Sequence, residues 1–352
     1  MKILLLSRYG PLGASSRIRS FQYLPYLTAH GMSVHVSPLF SDAYLQALYS
    51  ASPTLQDALY GYANRVRVVL SAHRFDVTII EKEIFPFLPA WTERLFHATN
   101  VPYLADYDDA IFHRYDQHPH AFVRRFLRNK IDVVMLNASM VIAGNEYLAE
   151  RARKAGAARV MVIPTVVDTD RYYPRNDPTG RTPVVGWIGT PKTSRYLKRL
   201  LPVFKALKRE TPVRFIAVGA LPEDFTGTPV ETWPWSLQTE VSSIQKFDIG
   251  IMPIDNTPWE RGKCGYKLIQ YMACGLPVVA SPVGVNCEIV SKESGFLAET
   301  DEEWHLTLKE LLKCSAEERQ TMGALGRKIV DEWYSLRIQG PRFVEALRKV
   351  IH

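Results

Sequence analysis

Between residues 258 and 286 the chain reads PWERGKCGYKLIQYMACGLPVVASPVGVN. A glycine-containing loop feeds a short helix, a tight turn follows at Cys274-Gly275, and a buried strand comes next. The amides of Gly265, Tyr266 and Lys267 would open that helix without intrahelical acceptors. The positive end of a helix carrying such N–H groups is a natural place for an anion. Lys263 and Lys267, four apart, would add two cations there. A phosphate-bearing ligand is therefore expected; the alternative is a solvated helix face beside an ordinary turn glycine.

Other loops offer related chemistry. After the apolar run VVGWI comes GTPKTSRYLKRL, where Gly189 opens a loop and Lys192 and Arg195 could reach a diphosphate, or could simply be exposed cations. After the first strand, RYGPLGASSRIRS places Gly10 and Gly13 in a tight bend and Arg17 and Arg19 in the first turn of a helix capped by Ser15 or Ser16. This is not a GxGxxG dinucleotide fingerprint, and NAD or FAD is not expected. In DYDDAIF, Asp106, Asp108 and Asp109 could imitate a metal-binding DxD or form a polar strand-end loop. His113, His118 and His120 follow without convincing ligand spacing, and no metal is expected. Trp233 and Trp235 could frame a nucleotide base or pack at a strand end.

These loops need elements to hold them. The chain has 352 residues, 47% hydrophobic and 22% charged, which suits two domains. Short Val- and Ile-rich runs alternate with amphipathic stretches: KILLLS, SVHVSPLF, VTII, PYLADY, MVIAG and VMVIP, then VVGWIG, VRFIAVG, VETWPW, IGIMPI, PVVASP and GFLAE. That pattern predicts two parallel sheets covered by helices on both faces. One helix is expected from Arg17 to His30, and two near the end, before a last helix from Ser335. Expected boundaries are 1–168, a polar linker 169–183, a second domain 184–334, and a terminal segment 335–352.

No apolar run approaches the roughly 18 to 20 residues of a membrane span, MKILLLSRYG is too short for a signal peptide, and four unpaired-looking cysteines fit a reducing cytoplasm. A net charge of +7 favours anionic partners, but no nucleic-acid motif accompanies it. In HAFVRRFLRNKIDVVML, Arg124, Arg125, Arg128 and Lys130 alternate with Phe122, Phe126 and Ile131. The segment could lie on an anionic membrane with its aromatics inserted, or pack Phe122 and Phe126 on the core behind a basic solvent face.

The order of these segments, with WIGTPKTSRYL, FDIGIMPI and KCGYKLIQYMACGLPVVASPVGVN in the second half and SSRIRSFQYLPYL, YLADYDDAIF, VIAGNEYLAE and VIPTVVD in the first, resembles glycosyltransferase family 4. The resemblance implies the GT-B fold, an α/β architecture of two Rossmann-like domains whose parallel sheets face each other across a cleft. It implies a UDP- or GDP-sugar held mainly by the second domain and a glycan or lipid-linked acceptor held mainly by the first. Transfer would be metal-independent and retaining, with the nucleotide-sugar a substrate and no cofactor. The terminal helix would cross back to the first domain. On this basis the donor side comprises Gly13, Gly189, Lys192, Arg195, Trp235, Lys263, Gly265, Tyr266, Lys267 and Gln270, and the acceptor side Arg17, Asp108 and Asn145.

The chain departs from the family pattern at several places. Where members commonly carry glutamates eight apart, it has Gly262 and Gln270. Glu260 is the candidate replacement for the first, with Asp109 as a second catalytic candidate that orients the acceptor hydroxyl. Thr190 stands in the usual arginine place and Arg195 lies near the usual lysine place, so Lys192, Lys263 and Lys267 would supply the remaining charge. The expected function is sugar transfer in surface glycan or glycolipid assembly, in the cytoplasm or on the inner face of the plasma membrane. The alternatives are a catalytically impaired binding subunit, kept open by Gly262 and Gln270, and a nucleotide-sugar epimerase or hydrolase.

Overall fold

The computed structural model describes residues 1–49, 55–174 and 182–351. Part of the expected linker, 175–181, lies outside the described residues. Among the described residues the strands form two six-stranded parallel sheets. The first has the order β2-β1-β3-β4-β5-β6, built from β1 (Lys2–Tyr9), β2 (Ser33–Phe40), β3 (Val77–Glu81), β4 (Tyr103–Tyr107), β5 (Met140–Ala143) and β6 (Val160–Val162). The second has the order β12-β11-β10-β7-β8-β9, built from β7 (Val184–Ile188), β8 (Arg214–Val218), β9 (Val230–Trp233), β10 (Ile249–Met252), β11 (Val278–Ala280) and β12 (Gly295–Leu297). The apolar runs became strands because both faces of each central strand are covered: β3, β4 and β7 are buried at every residue.

Alternation divides the second sheet's side chains between two cores. Val184, Ile188, Ile216, Val218 and Met252 pack with Leu268, Tyr271 and Met272 on one face. Val185, Trp187, Phe215, Ala217 and Ile251 pack with Phe204, Leu207, Trp304 and Leu308 on the other. The strand orders locate the binding ends. Chain direction across the first sheet reverses between β1 and β3, and across the second between β7 and β10. In open parallel sheets ligands bind beyond the carboxyl ends of the strands at such a reversal.

The chain groups into two compact units: Met1–Thr165 with Arg261–Cys264 and residues from Gln339 onward, and Val166–Glu260 with Gly265–Ile338. The second unit's covering helices, Asp301–Lys313 and Ala316–Trp333, each begin with a capping box, Thr300 with Glu303 and Ser315 with Glu318. The last helix is Leu336–Ile351, and in the first unit Phe343 packs its ring 4.7 Å from that of Tyr23.

Two expectations are corrected. The single helix from Arg17 to His30 is instead Ala14–Arg19, a 3-10 turn Phe21–Tyr23, and Leu24–Ala29. Pro25 has no N–H to continue the ladder and so sits in the first turn of a new helix, while Ser20 leaves the helical region. The basic segment is also divided, into Ala121–Leu127 and Lys130–Asn137. Leu127, not Phe122 or Phe126, faces inward, and the two phenylalanines are 72% and 61% exposed. Among the described residues no helix is long and apolar enough to cross a membrane.

Candidate functional site

In the second unit, the loops after β7 and β10 and the helix Tyr266–Ala273 gather one group of expected residues. Gly265 caps that helix in a left-handed conformation, φ 64° and ψ 17°, and no side chain caps it. A non-glycine residue would be strained there, and its Cβ would fall 2.3 Å from Ile289 Cδ1. Tyr266 and Lys267 form the first turn, and the Lys267 ammonium lies 5.7 Å from the centre of the Trp187 ring. After β7, a side chain on Gly189 would meet the Trp187 ring at 2.3 Å and Thr193 Oγ1 at 2.8 Å, so the backbone itself lines the bend. Thr190 and Thr193 then cap the turn Pro191–Thr193, leaving Lys192 exposed and without a partner among the described residues.

Arg195 is bound to Glu260. Its Nη2 is 3.0 Å from Glu260 Oε1 and 2.8 Å from the Tyr196 hydroxyl, and its guanidinium lies 4.6 Å from the Tyr196 ring centre. Glu260 is buried, and it also accepts from the Tyr196 hydroxyl and from Thr257 Oγ1. Both of its oxygens are engaged, so in this arrangement Glu260 positions Arg195, whose side chain is 63% exposed. Trp235 donates its indole N–H to Glu240 Oε2 at 2.8 Å, and its Cβ lies beside Gly219. Gln270 is buried one helical turn beyond Tyr266 and donates from Nε2 to the Tyr172 hydroxyl at 3.0 Å.

The first unit gathers a different group at the ends of β1, β3 and β4. Gly13 precedes the helix Ala14–Arg19, and Arg17 reaches back to the carbonyl of Pro11 at 3.4 Å. Lys82, in a left-handed conformation with φ 68°, sends its ammonium to Asp108 Oδ1 at 2.8 Å, Asp109 Oδ2 at 3.3 Å and Ser15 Oγ at 3.1 Å. Burial alone would lower the Lys82 pKa, but Asp108 and Asp109 outweigh it and hold the ammonium above its ordinary value. Burial opposes charge on Asp108 too, and Lys82 outweighs that penalty to hold the carboxyl below the ordinary range. Asp106 is taken by Arg19, with Nε to Oδ2 at 3.0 Å and Nη2 to Oδ1 at 2.5 Å. With each aspartate facing a cation, DYDD is a paired strand-end cluster. Among the described residues no group of three His, Cys, Asp or Glu could hold a metal ion.

Lys263 and Lys267 do not share a helix face. Lys263 precedes the helix, belongs to the first unit and lies 3.8 Å from Asp109 Oδ1. Asn145 caps the helix Glu146–Lys154 through the Leu148 amide and donates Nδ2 to the carbonyls of Gly262 and Lys263 at 3.1 and 3.0 Å. It fastens the loop 261–264. A side chain at Gly262 would meet Ala110 Cβ at 2.5 Å and its nitrogen at 2.8 Å, so this loop has no space for the glutamate found in the resembling family. Cys264 is buried there, donating to the Asp108 carbonyl at 3.2 Å, and burial pushes its thiol pKa far up.

Sequence reasoning missed Lys82, Arg19 as the partner of Asp106, Tyr172 and Glu240. For Lys82 a signal existed, its place two residues after the apolar run VTII, just past the end of the strand.

Residues 182–314 match the family model described as "Glycosyl transferases group 1". The chain carries a group 1 glycosyltransferase domain. Solved structures extend the likeness over the whole chain. A glycosyltransferase from Rickettsia africae superposes with a TM-score of 0.73 at 13% identity, covering 99% of this chain and 98% of that one. A sucrose-phosphate synthase from Thermosynechococcus elongatus gives 0.74 at 15%, covering 99% of each. Anabaena HepE in complex with UDP and glucose gives 0.68 at 19%, again covering 99% of each. At these identities the likeness carries the fold, which is GT-B. A comparison with curated protein sequences finds no match. The loops after β7 and β10 and the glycine-capped helix all fall inside the glycosyltransferase domain, and the protein is a glycosyltransferase of GT-B fold.

Proposed function

We propose that the protein transfers a sugar from a nucleotide diphosphate-sugar to an acceptor hydroxyl, with retention and without a metal, in surface glycan or glycolipid assembly. The observation that carries this reading is the second unit's anion cradle: the Gly265-capped helix start, Lys267, the exposed Lys192 and the Glu260-braced Arg195. The UDP and glucose named with HepE suit such a cradle. As the sugar C1–O bond to the diphosphate breaks, negative charge grows on the leaving phosphate, where pre-placed cations and amides stabilise it most. The acceptor oxygen bonds to C1, and its proton passes to the leaving phosphate oxygen. No side-chain base is required, which agrees with Glu260 being engaged by its neighbours. Asp109, held by Lys82 and Lys263 in the first unit, would orient the acceptor.

The test is to incubate the protein with UDP- and GDP-sugars and lipid or glycan acceptors and to identify products by mass spectrometry. Transferred sugar with released nucleoside diphosphate is expected. An isomerised or merely hydrolysed donor would replace this reading with an epimerase or hydrolase, and binding without turnover would replace it with a partner subunit.

The exposed Phe122 and Phe126, with ring centres 4.6 Å apart and Arg124, Arg125 and Arg128 exposed around them, favour a peripheral site on an anionic membrane, fitting a lipid-linked acceptor. Co-sedimentation with phosphatidylglycerol vesicles that is lost in Phe122→Ser/Phe126→Ser is expected; equal sedimentation of both proteins would remove membrane contact from the account.

A further inference from the structure

At the carboxyl ends of β1, β3 and β4 one group of charges does not balance. Arg8, next to last in β1, donates Nη1 to Glu83 Oε1 at 3.5 Å, at the outer limit of a hydrogen bond. The other oxygen of Glu83 is held more closely, by the Lys130 ammonium at 2.5 Å and the Tyr115 hydroxyl at 2.6 Å. Glu83 and Lys130 are buried, while the Arg8 side chain is 13% exposed. Arg114 stands next to Tyr115 in the one-turn helix His113–Asp116 and is half-buried. Among the described residues no side chain or carbonyl pairs with its guanidinium. Burial first, and then Arg8, press the Arg114 pKa down against the attraction of Glu83. The guanidinium stays protonated even so. Three cations therefore gather around one carboxylate, whose charge Lys130 already answers.

A half-buried guanidinium without a counter-ion costs stability that a neutral side chain would not. The group lies where the first sheet reverses its chain direction, the position at which an open parallel sheet takes a ligand. Arg114 follows Asp109 by five residues beyond β4, so the carboxylate proposed to orient the acceptor hydroxyl and the unmatched cation belong to one loop region. The fork of an arginine matches two oxygens of a carboxylate or of a phosphate. We infer that Arg8 and Arg114 bind an oxyanion carried by the acceptor, a phosphate or a carboxylate, so that the protein glycosylates a charged acceptor and discriminates against a neutral one. The anion supplies the counter-charge that the chain withholds from Arg114, and Glu83 holds Arg8 in place without neutralising the pair. The inference rests on the transferase reading above, whose acceptor it names by chemical class.

Melting curves of the full-length protein test it, recorded with saturating UDP and GDP so that the second unit's cradle is filled. Inorganic phosphate and acetate are each titrated against chloride at equal ionic strength. A rise in Tm that saturates is expected with phosphate for a phosphorylated acceptor and with acetate for a carboxylate-bearing one. Arg114→Gln should raise the half-saturating anion concentration by about tenfold or more, as the loss of a charged hydrogen bond does. Having removed an unmatched cation, it should melt no lower than the unaltered protein when no anion is added. Arg8→Gln is the second variant and should lose the response in the same way. No saturating rise with either anion, or a rise that persists in both variants as a general salting effect does, overturns the inference. If neither nucleotide raises the melting temperature, the transferase reading falls separately and takes with it the assignment of this anion to an acceptor.

Discussion

The carboxyl ends of the two sheets are built from similar residue types and have opposite chemistry. Beyond β3 and β4, acids and bases are matched and largely buried: Lys82 with Asp108 and Asp109, Arg19 with Asp106, Lys130 with Glu83 at 2.5 Å. Beyond β7 and β10, the charge is less enclosed, with Lys192 exposed and Arg195 held by Glu260 at one guanidinium nitrogen while most of its side chain stays in solvent. The first end has satisfied these charges internally and can orient a neutral hydroxyl. The second keeps positive potential available and can take a diphosphate. The difference lies less in which charges are present than in how far they are enclosed: the ion pairs Lys82–Asp108 and Arg19–Asp106 are buried, whereas Arg195, although paired with Glu260, stays mostly in solvent.

The largest effect should come from breaking the matched end. Lys82→Met would leave Asp108 buried beside no ammonium, with Asp109 keeping only Lys263, and should destabilise the first unit by about 3–5 kcal/mol in denaturant unfolding. The loss should depend on pH with a definite sign. The Asp108 pKa is depressed in the folded state, so its contribution is complete above the ordinary aspartate pKa and disappears as pH falls through the lower folded value. Stability of the two proteins should therefore differ most at neutral pH and converge below about pH 4. A gap that is constant from neutral to strongly acid pH would mean that Lys82 acts by packing alone.

At the outward-facing end, Lys267→Ala should weaken nucleoside diphosphate binding by about 1.5–3 kcal/mol, as expected for a charged hydrogen bond, with little change in melting temperature of the free protein. Equal affinity would remove Lys267 from the cradle. Gly265→Ala should cost about 1–3 kcal/mol of stability, because φ 64° is strained for alanine and the new methyl meets Ile289. An unchanged unfolding midpoint would mean that the helix start rearranges freely. The smallest effect is expected from Phe122→Ser/Phe126→Ser, within about 0.5 kcal/mol by thermal unfolding, since neither ring is part of the core.

The matched and the outward-facing ends were not equally legible in the sequence. All twelve apolar runs named there are strands, and they were legible because a short apolar run can be read from local composition before its tertiary partners are known. The glycine-capped helix start was legible for a similar reason: a glycine, a helix and adjacent lysines act within about ten residues of one another. The charge matching was not. Lys82 and Asp108 lie 26 residues apart, Arg19 and Asp106 87, and Tyr172 and Gln270 98, and only the parallel pairing of β1, β3 and β4 or the packing around Tyr172 brings them together. Phe122 and Phe126 misled for another reason. Alternating Phe and Arg at helical spacing fits burial and exposure equally, and Leu127, one residue further round, took the inward position.

The most direct test of the contrast between the two ends is the melting temperature of the protein with UDP, GDP and ADP, each beside its unphosphorylated nucleoside. Ligand that binds only the folded state stabilises it by about 2.7 kcal/mol at a hundredfold excess over Kd. The account predicts a clear rise with at least one diphosphate and little or none with the matching nucleoside, the rise shrinking in Lys267→Ala. No rise with any diphosphate, or an equal rise with nucleoside and diphosphate, would contradict it.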